Sequence, residues 1–234
     1  MSLIQSEALV MRIVEVRESD VIATLLTREM GKVSAVVRGA RKGTPRLGGA
    51  LEPIHTLTAL FDDRGTELVT LKEAQIVCVR AHATSHLESL EAAGTALRWA
   101  RHLFPQRAPE PEGWRVLTRL LDALDADDGP ARAREHLAAA GLAVLAAVGY
   151  AIKLDRCVAC SRPCPEQRPA YVDPARGGLL CRGCGGFGVL LSPRVRSAAR
   201  ALESGHTQDV TEADAQALLT IVDRAMAAHA GFER

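Results

Sequence analysis

The stretch Asp20-Val21-Ile22-Ala23-Thr24-Leu25-Leu26-Thr27-Arg28-Glu29-Met30-Gly31-Lys32-Val33-Ser34-Ala35-Val36-Val37-Arg38 reads as two β-strands joined by a tight turn. Residues 21–27 are apolar and β-branched, Met30-Gly31-Lys32 places a glycine at the reversal, and Val33 to Arg38 runs back. Upstream, Val10, Arg12, Val14 and Val16 alternate with Met11, Ile13 and Glu15 in a further strand. Downstream, His55 to Phe61 makes a fourth, Asp62-Asp63-Arg64-Gly65 a turn, and Thr66 to Val79 a long fifth. Five strands with short turns suit a small closed barrel, because closure leaves no exposed sheet edge. The one long connection, Gly39 to Pro53, is rich in glycine and basic residues. A polar loop of about 15 residues in a compact domain is usually functional or mobile.

After Arg80 the hydrophobic period changes from strand to helix. Ser85 and Glu88 have the spacing of a capping box, and Leu87, Leu90, Gly94, Leu97, Arg101 and Phe104 follow at three- and four-residue intervals. Trp114, Leu117, Leu120, Leu121 and Leu124 mark a second helix, ended by Asp127-Asp128-Gly129-Pro130, and a third runs from about Ala131 to Tyr150. Ser192-Pro193 is an N-cap followed by proline at the first helical position, and Thr211 caps a last helix. The expected architecture is therefore α+β and multi-domain. Residues 1–80 form a five-stranded barrel and residues 81–234 a helical domain, with a cysteine module inserted at about 155–190.

The 234 residues are 47% hydrophobic with a net charge of +1, which excludes disorder and collagen-like repeats. Neither a signal-peptide pattern nor an apolar run of membrane-spanning length is present, so a cytoplasmic protein is expected. Of six cysteines, five fall between residues 157 and 184, which points to metal binding rather than to a secreted disulfide framework. Cys157-Val158-Ala159-Cys160 and Cys181-Arg182-Gly183-Cys184 are two knuckles that can complete a tetrahedron of thiolates around one Zn2+. Cys164 either replaces Cys160 or stays a spare thiol, and the spacing favours the spare role. Four thiolates leave no open position for water or substrate, so such a zinc is structural. It would supply about 10–16 kcal/mol to a segment with too little apolar content to fold alone. The seven histidines make no metalloenzyme motif with the cysteines, and no nucleophile has an evident partner. Gly183, Gly185 and Gly188 match a dinucleotide fingerprint only literally, and Gly39 to Thr44 has phosphate-loop ingredients in the wrong order. No catalysis is expected.

Charge is uneven along the chain. Residues 28–46 hold Arg28, Lys32, Arg38, Arg41, Lys42 and Arg46 against Glu29 alone, and residues 151–200 carry nine basic and three acidic side chains. Such a block is either a solvated face or a surface for phosphates. Within the first 80 residues Phe61 is the sole aromatic, so contact would fall on phosphates rather than bases. About six contacts to single strands would give a slope of log K against log salt near −4. The second block, including Arg194 and Arg196, either extends such a track or faces an acidic partner.

Glu7-Ala8-Leu9-Val10, Glu18-Ser19-Asp20, Thr27 with Gly31-Lys32, Arg38-Gly39-Ala40-Arg41-Lys42, and Glu67-Leu68 with Leu71 resemble the N-terminal domain of the bacterial RecO family of DNA repair proteins. The order of barrel, helices, two-knuckle cysteine site and closing helices resembles the same family. The resemblance implies an OB-fold and a zinc module. It further implies a non-catalytic, ATP-independent mediator that binds single- and double-stranded DNA and anneals complementary strands. With RecR, such a protein helps RecA replace single-stranded-DNA-binding protein, in the pathway of RecF. By position it carries the basic turn and loop over to Lys32, Arg38, Arg41 and Lys42. The chain departs from the family pattern near Val16, where an aromatic is common, and near Thr44-Pro45, where a serine is. The competing reading is a zinc-containing, sequence-specific DNA-binding regulator, whose only candidate recognition helix carries Arg194, Arg196 and Arg200.

Overall fold

The computed structural model describes residues 2–16, 18–40, 51–185 and 188–230, and they fall in two compact units, Met1–Asp127 and Asp128–Arg234. In the first unit the strands are β1 (Ser2–Glu15), β2 (Val21–Thr27), β3 (Gly31–Val37), β4 (Thr56–Asp63) and β5 (Leu68–Cys78). β2 lies antiparallel between β1 and β3, β3 runs parallel to β5, and β4 joins β5 to β1, so the sheet closes on itself. β1 starts well before the alternating run at Val10. It pairs with β4 through Ser2 to Leu9 and with β2 through Ala8 to Glu15. A strand that shuts a barrel serves two neighbours in turn, and this length meets that need.

Alternate residues face the interior: Ala8 and Val10, then Val21, Ala23 and Leu25, with equivalents in each later strand around Phe61. Each of the first four strands contributes an alanine to this cluster, which leaves volume for the one large ring. In β1 this alternation breaks. Val10 pairs with Leu25 and Arg12 with Thr24, so Met11 is the extra residue of a β-bulge.

The strands are followed by α1 (Ala81–Thr84), α2 (Leu87–Leu103) and α3 (Pro111–Asp125). α3 buries Trp114, Leu117, Leu120, Leu121 and Leu124, the stripe its spacing predicts. The capping box expected at Ser85 and Glu88 does not form. His86 is the N-cap residue without a side-chain bond, and the Ser85 hydroxyl donates instead to the His82 carbonyl of the preceding short turn at 2.8 Å. These helices are tied to the barrel by Arg80, which is 2% exposed. Its guanidinium donates to the Ile54 carbonyl (2.7 Å), to Thr56 Oγ1 (3.0 Å) and to Asp122 Oδ1 of α3 (2.6 and 2.9 Å).

In the second unit, α4 (Ala133–Ala147), α5 (Pro193–Glu203) and α6 (Glu212–Ala230) accompany a small sheet of β6 (Lys153–Cys157), β7 (Ala170–Asp173), β8 (Gly178–Leu180) and β9 (Val189–Leu191) in the order β6-β8-β7-β9. The two predicted caps are present: Ser192 Oγ accepts from the Val195 N–H at 3.2 Å, and Thr211 Oγ1 from the Asp214 N–H at 3.4 Å. No helix among the described residues is long and apolar enough to cross a membrane.

Candidate metal centre and cationic surfaces

β6 and β8 are parallel neighbours, so their C-terminal ends emerge side by side, and each end delivers one cysteine pair. Gly178 makes the approach close, since a Cβ there would sit 2.6 Å from the Lys153 carbonyl oxygen. Past β6, the Ser161 N–H returns to the Cys157 carbonyl at 2.9 Å, with Ser161 itself at φ 59°. Past β8, the Cys184 N–H returns to the Cys181 carbonyl at 3.0 Å, and Gly185 at φ 91° lets the chain leave.

The sulfurs of Cys157, Cys160, Cys181 and Cys184 all lie within 4.8 Å of one another, and Cys160 Sγ is 3.8 Å from Cys181 Sγ. Zinc–sulfur bonds of about 2.3 Å in a tetrahedron place sulfurs about 3.8 Å apart, so the donor set and its spacing fit a Zn2+ ion. Backbone N–H groups of Cys181 and Cys160 point at the Cys157 sulfur and draw its thiol down to about 6. The neighbouring thiols of Cys181 and Cys160 push Cys184 up to about 12. Four thiolates this close repel one another, and a central cation is what allows all to be ionised together. Cys164 is outside this group of four. Its thiol is raised chiefly by burial, and its Sγ lies 3.8 Å from the Arg162 carbonyl.

The loop between the knuckles is held from α5. Arg196, 2% exposed, donates from Nη1 to the carbonyls of Pro165 (2.6 Å) and Arg168 (3.0 Å). From Nη2 it donates to those of Leu154 and Cys164 (both 2.7 Å). Three carbonyls of the irregular loop and one of β6 thus find donors in one side chain, which satisfies loop backbone that no sheet covers. Arg196 was expected on a DNA-facing surface. It is instead an internal clamp, and its spacing with Ala199 and Leu202 on the buried face of α5 is the signal that gives this away.

The remaining basic residues are not gathered as expected. Lys32 is 7% exposed, and its ammonium donates to the Arg101 carbonyl at 2.6 Å. The segment after α2 covers the turn beside it. The Arg107 N–H donates to the Lys32 carbonyl at 2.8 Å, and a Cβ on Gly31 would overlap the Ala108 carbonyl. Arg38 is exposed at the other end of β3, about 20 Å away at roughly 3.3 Å per residue. It pairs with no carboxylate among the described residues. Arg28 faces Glu7 at 3.0 Å and Arg194 faces Asp214 at 2.9 Å. Arg200 pairs with Glu166, and Arg176 lies 3.5 Å from Asp173. Arg41, Lys42 and Arg46 lie outside the described residues. Within the second basic block Arg156, Arg176, Arg194 and Arg200 thus face carboxylates of their own unit, and Arg196 is buried against carbonyls. The sequence pattern gave no hint of a different set, Arg12 with Arg98 and Arg101, which the fold brings together.

Residues 1–80 match the family model "Recombination protein O N terminal", and residues 85–234 match "Recombination protein O C terminal". A DNA repair protein RecO from Anaeromyxobacter sp. (strain Fw109-5) is 38% identical, over 82% of this chain and 74% of its own. One from Geobacter metallireducens is 32% identical over 96% and 91%, and one from Myxococcus xanthus 36% over 85% and 81%.

Proposed function

The chain belongs to the recombination protein O family, and from that premise we propose that it is a non-catalytic recombination mediator in DNA repair. It binds single- and double-stranded DNA and anneals complementary strands. With RecR it helps RecA replace single-stranded-DNA-binding protein, in the RecF pathway, in the cytoplasm at the nucleoid. The observation that carries this reading is the order of parts: a closed five-stranded barrel, helices, and a four-cysteine cluster, along a chain that both family models match almost end to end.

The strand order β1-β2-β3-β5-β4, with β3 and β5 parallel, supports an OB-fold. The sulfur geometry supports one structural Zn2+, held by Cys157, Cys160, Cys181 and Cys184, that orders the sheet and takes no part in chemistry. Annealing needs no active site: cations that neutralise phosphates lower the repulsion between two strands. Of the residues expected to contact DNA, Arg38 remains, together with Arg41, Lys42 and Arg46. Arg28 and Arg194 contribute less, since each already faces a carboxylate.

A sequence-specific regulator is the weaker reading. Arg194 and Arg200 pair with carboxylates and Arg196 is buried, so the helix that would read bases has its cations engaged. The test is annealing of complementary oligonucleotides without ATP. Annealing that slows steeply with added salt, beside random-sequence competition that is fully effective, is expected. Absence of annealing at low salt, or a preference of roughly 10³-fold for one duplex sequence, overturns the proposal.

A further inference from the structure

Arg12, Arg98 and Arg101 come from two elements that are far apart in sequence and packed together in the fold. β1 supplies Arg12. Ala8 and Val10 point into the barrel, so strict alternation would send Arg12 inside as well. The bulge at Met11 prevents this. It re-registers the strand so that Arg12 sits opposite Thr24, on the outward side of β2, and is exposed. α2 packs against β1, and Arg98 and Arg101 lie one turn apart on it. Beneath them, the buried Lys32 ammonium donates to the Arg101 carbonyl at 2.6 Å, which adds positive charge and fixes the end of α2 relative to β3. His102 stands beside Arg101, with Nε2 3.2 Å from its guanidinium.

Among the described residues, none of the three arginines pairs with a carboxylate. The electrostatic consequences follow. Burial and then Arg12 and Arg98 lower the pKa of Arg101, while burial and then Arg101 lower that of Lys32. The negative end of the α2 dipole favours cations in the last turn, which accounts for Arg101 and His102. It does not account for a strand that bulges to bring Arg12 to the same place. Like charges held together by a rigid scaffold are relieved by an anion, and guanidinium forks match phosphate oxygens.

We propose that Arg12, Arg98 and Arg101 form a phosphate site that holds the DNA backbone against β1 and α2. This rests on the DNA-binding reading above. The scarcity of exposed aromatic platforms fits a backbone grip rather than base stacking.

The test measures binding of fluorescent oligo(dT) to the full chain across a salt series. The triple variant Arg12→Gln/Arg98→Gln/Arg101→Gln should bind at least about tenfold more weakly. Its log K against log salt slope should be shallower by about 2, from roughly 0.7 per lost contact. Its thermal unfolding midpoint should hold or rise, because repulsion is removed, whereas a merely structural role would lower it. Arg12→Gln alone, at an exposed position, should show about a third of the slope change. A triple variant with unaltered slope overturns the site. If Arg38→Glu weakens binding in that same case, the DNA-binding reading survives without it. Absence of oligo(dT) binding by the unsubstituted protein removes both. Loss of polyglutamate binding with oligo(dT) binding intact would give the cluster to an acidic protein instead.

Discussion

The barrel buries thirteen apolar side chains in one cluster, whereas the strands that carry the cysteines are only three to five residues long. In the barrel, closure satisfies the edges and the hydrophobic effect supplies the drive. In the cysteine sheet, Val172, Leu179, Leu180 and Leu191 are too few to offset the entropy of ordering some forty residues. Four sulfurs and one guanidinium make up the difference. The contrast teaches that positive charge in the two units has opposite uses: Arg196 is spent inside to hold a loop, while Arg12 is turned outward by a bulge.

Metal withdrawal should separate the two regions most sharply. Replacing Cys157 and Cys181 by serine, or adding a strong chelator, should remove about 10 kcal/mol or more of binding energy from the cysteine sheet. Amide hydrogen exchange would then accelerate across residues 153–191 while β1–β5 stay protected. Equal loss in both regions would erase the contrast. The converse perturbation is Phe61→Ala. It should cost about 3–5 kcal/mol by denaturant unfolding, with one zinc per chain retained in metal analysis.

Arg196→Met comes next, at about 3 kcal/mol, since it leaves the carbonyls of Leu154, Cys164, Pro165 and Arg168 without their donors. Zinc release to a competing chelator should quicken, and Arg196→Lys should restore it only in part, because a point ammonium cannot span four acceptors. Retention of normal release kinetics in the methionine variant would show that the clamp is dispensable. The smallest effect concerns pH. Burial holds the His136 pKa below its ordinary 6.5. The unfolded chain therefore takes up this proton first. The stability that neutral His136 contributes is whole above about pH 6.5 and falls as pH drops through the folded value. The urea midpoint of His136→Leu should decline less between pH 7 and 5.5 than that of the unsubstituted protein; parallel declines would exclude this source.

Much of this architecture was legible from local pattern. Residues 20–38 announce their hairpin, the leucines of α3 their stripe, and the cysteine spacing its cluster, because each is set by near neighbours. What stayed hidden depends on distant ones. A lysine next to a turn glycine reads as solvent-facing until the segment at 105–109 is known to cover it. The strands β6–β9 are too short for alternation to register, and the bulge at Met11 is invisible in a run that alternates convincingly through Val16. Composition reports how many arginines a segment has, not which carbonyls or carboxylates await them.

Arg80 carries a consequence for the order in which the molecule is made. When the ribosome has released residue 80, every barrel strand exists, yet the guanidinium closing the space beside Ile54 and Thr56 still lacks Asp122. The nascent barrel must therefore wait some forty residues, about two to eight seconds at ordinary translation rates, before its last buried charge is answered. A gene fragment cut where the strands end would make that wait permanent.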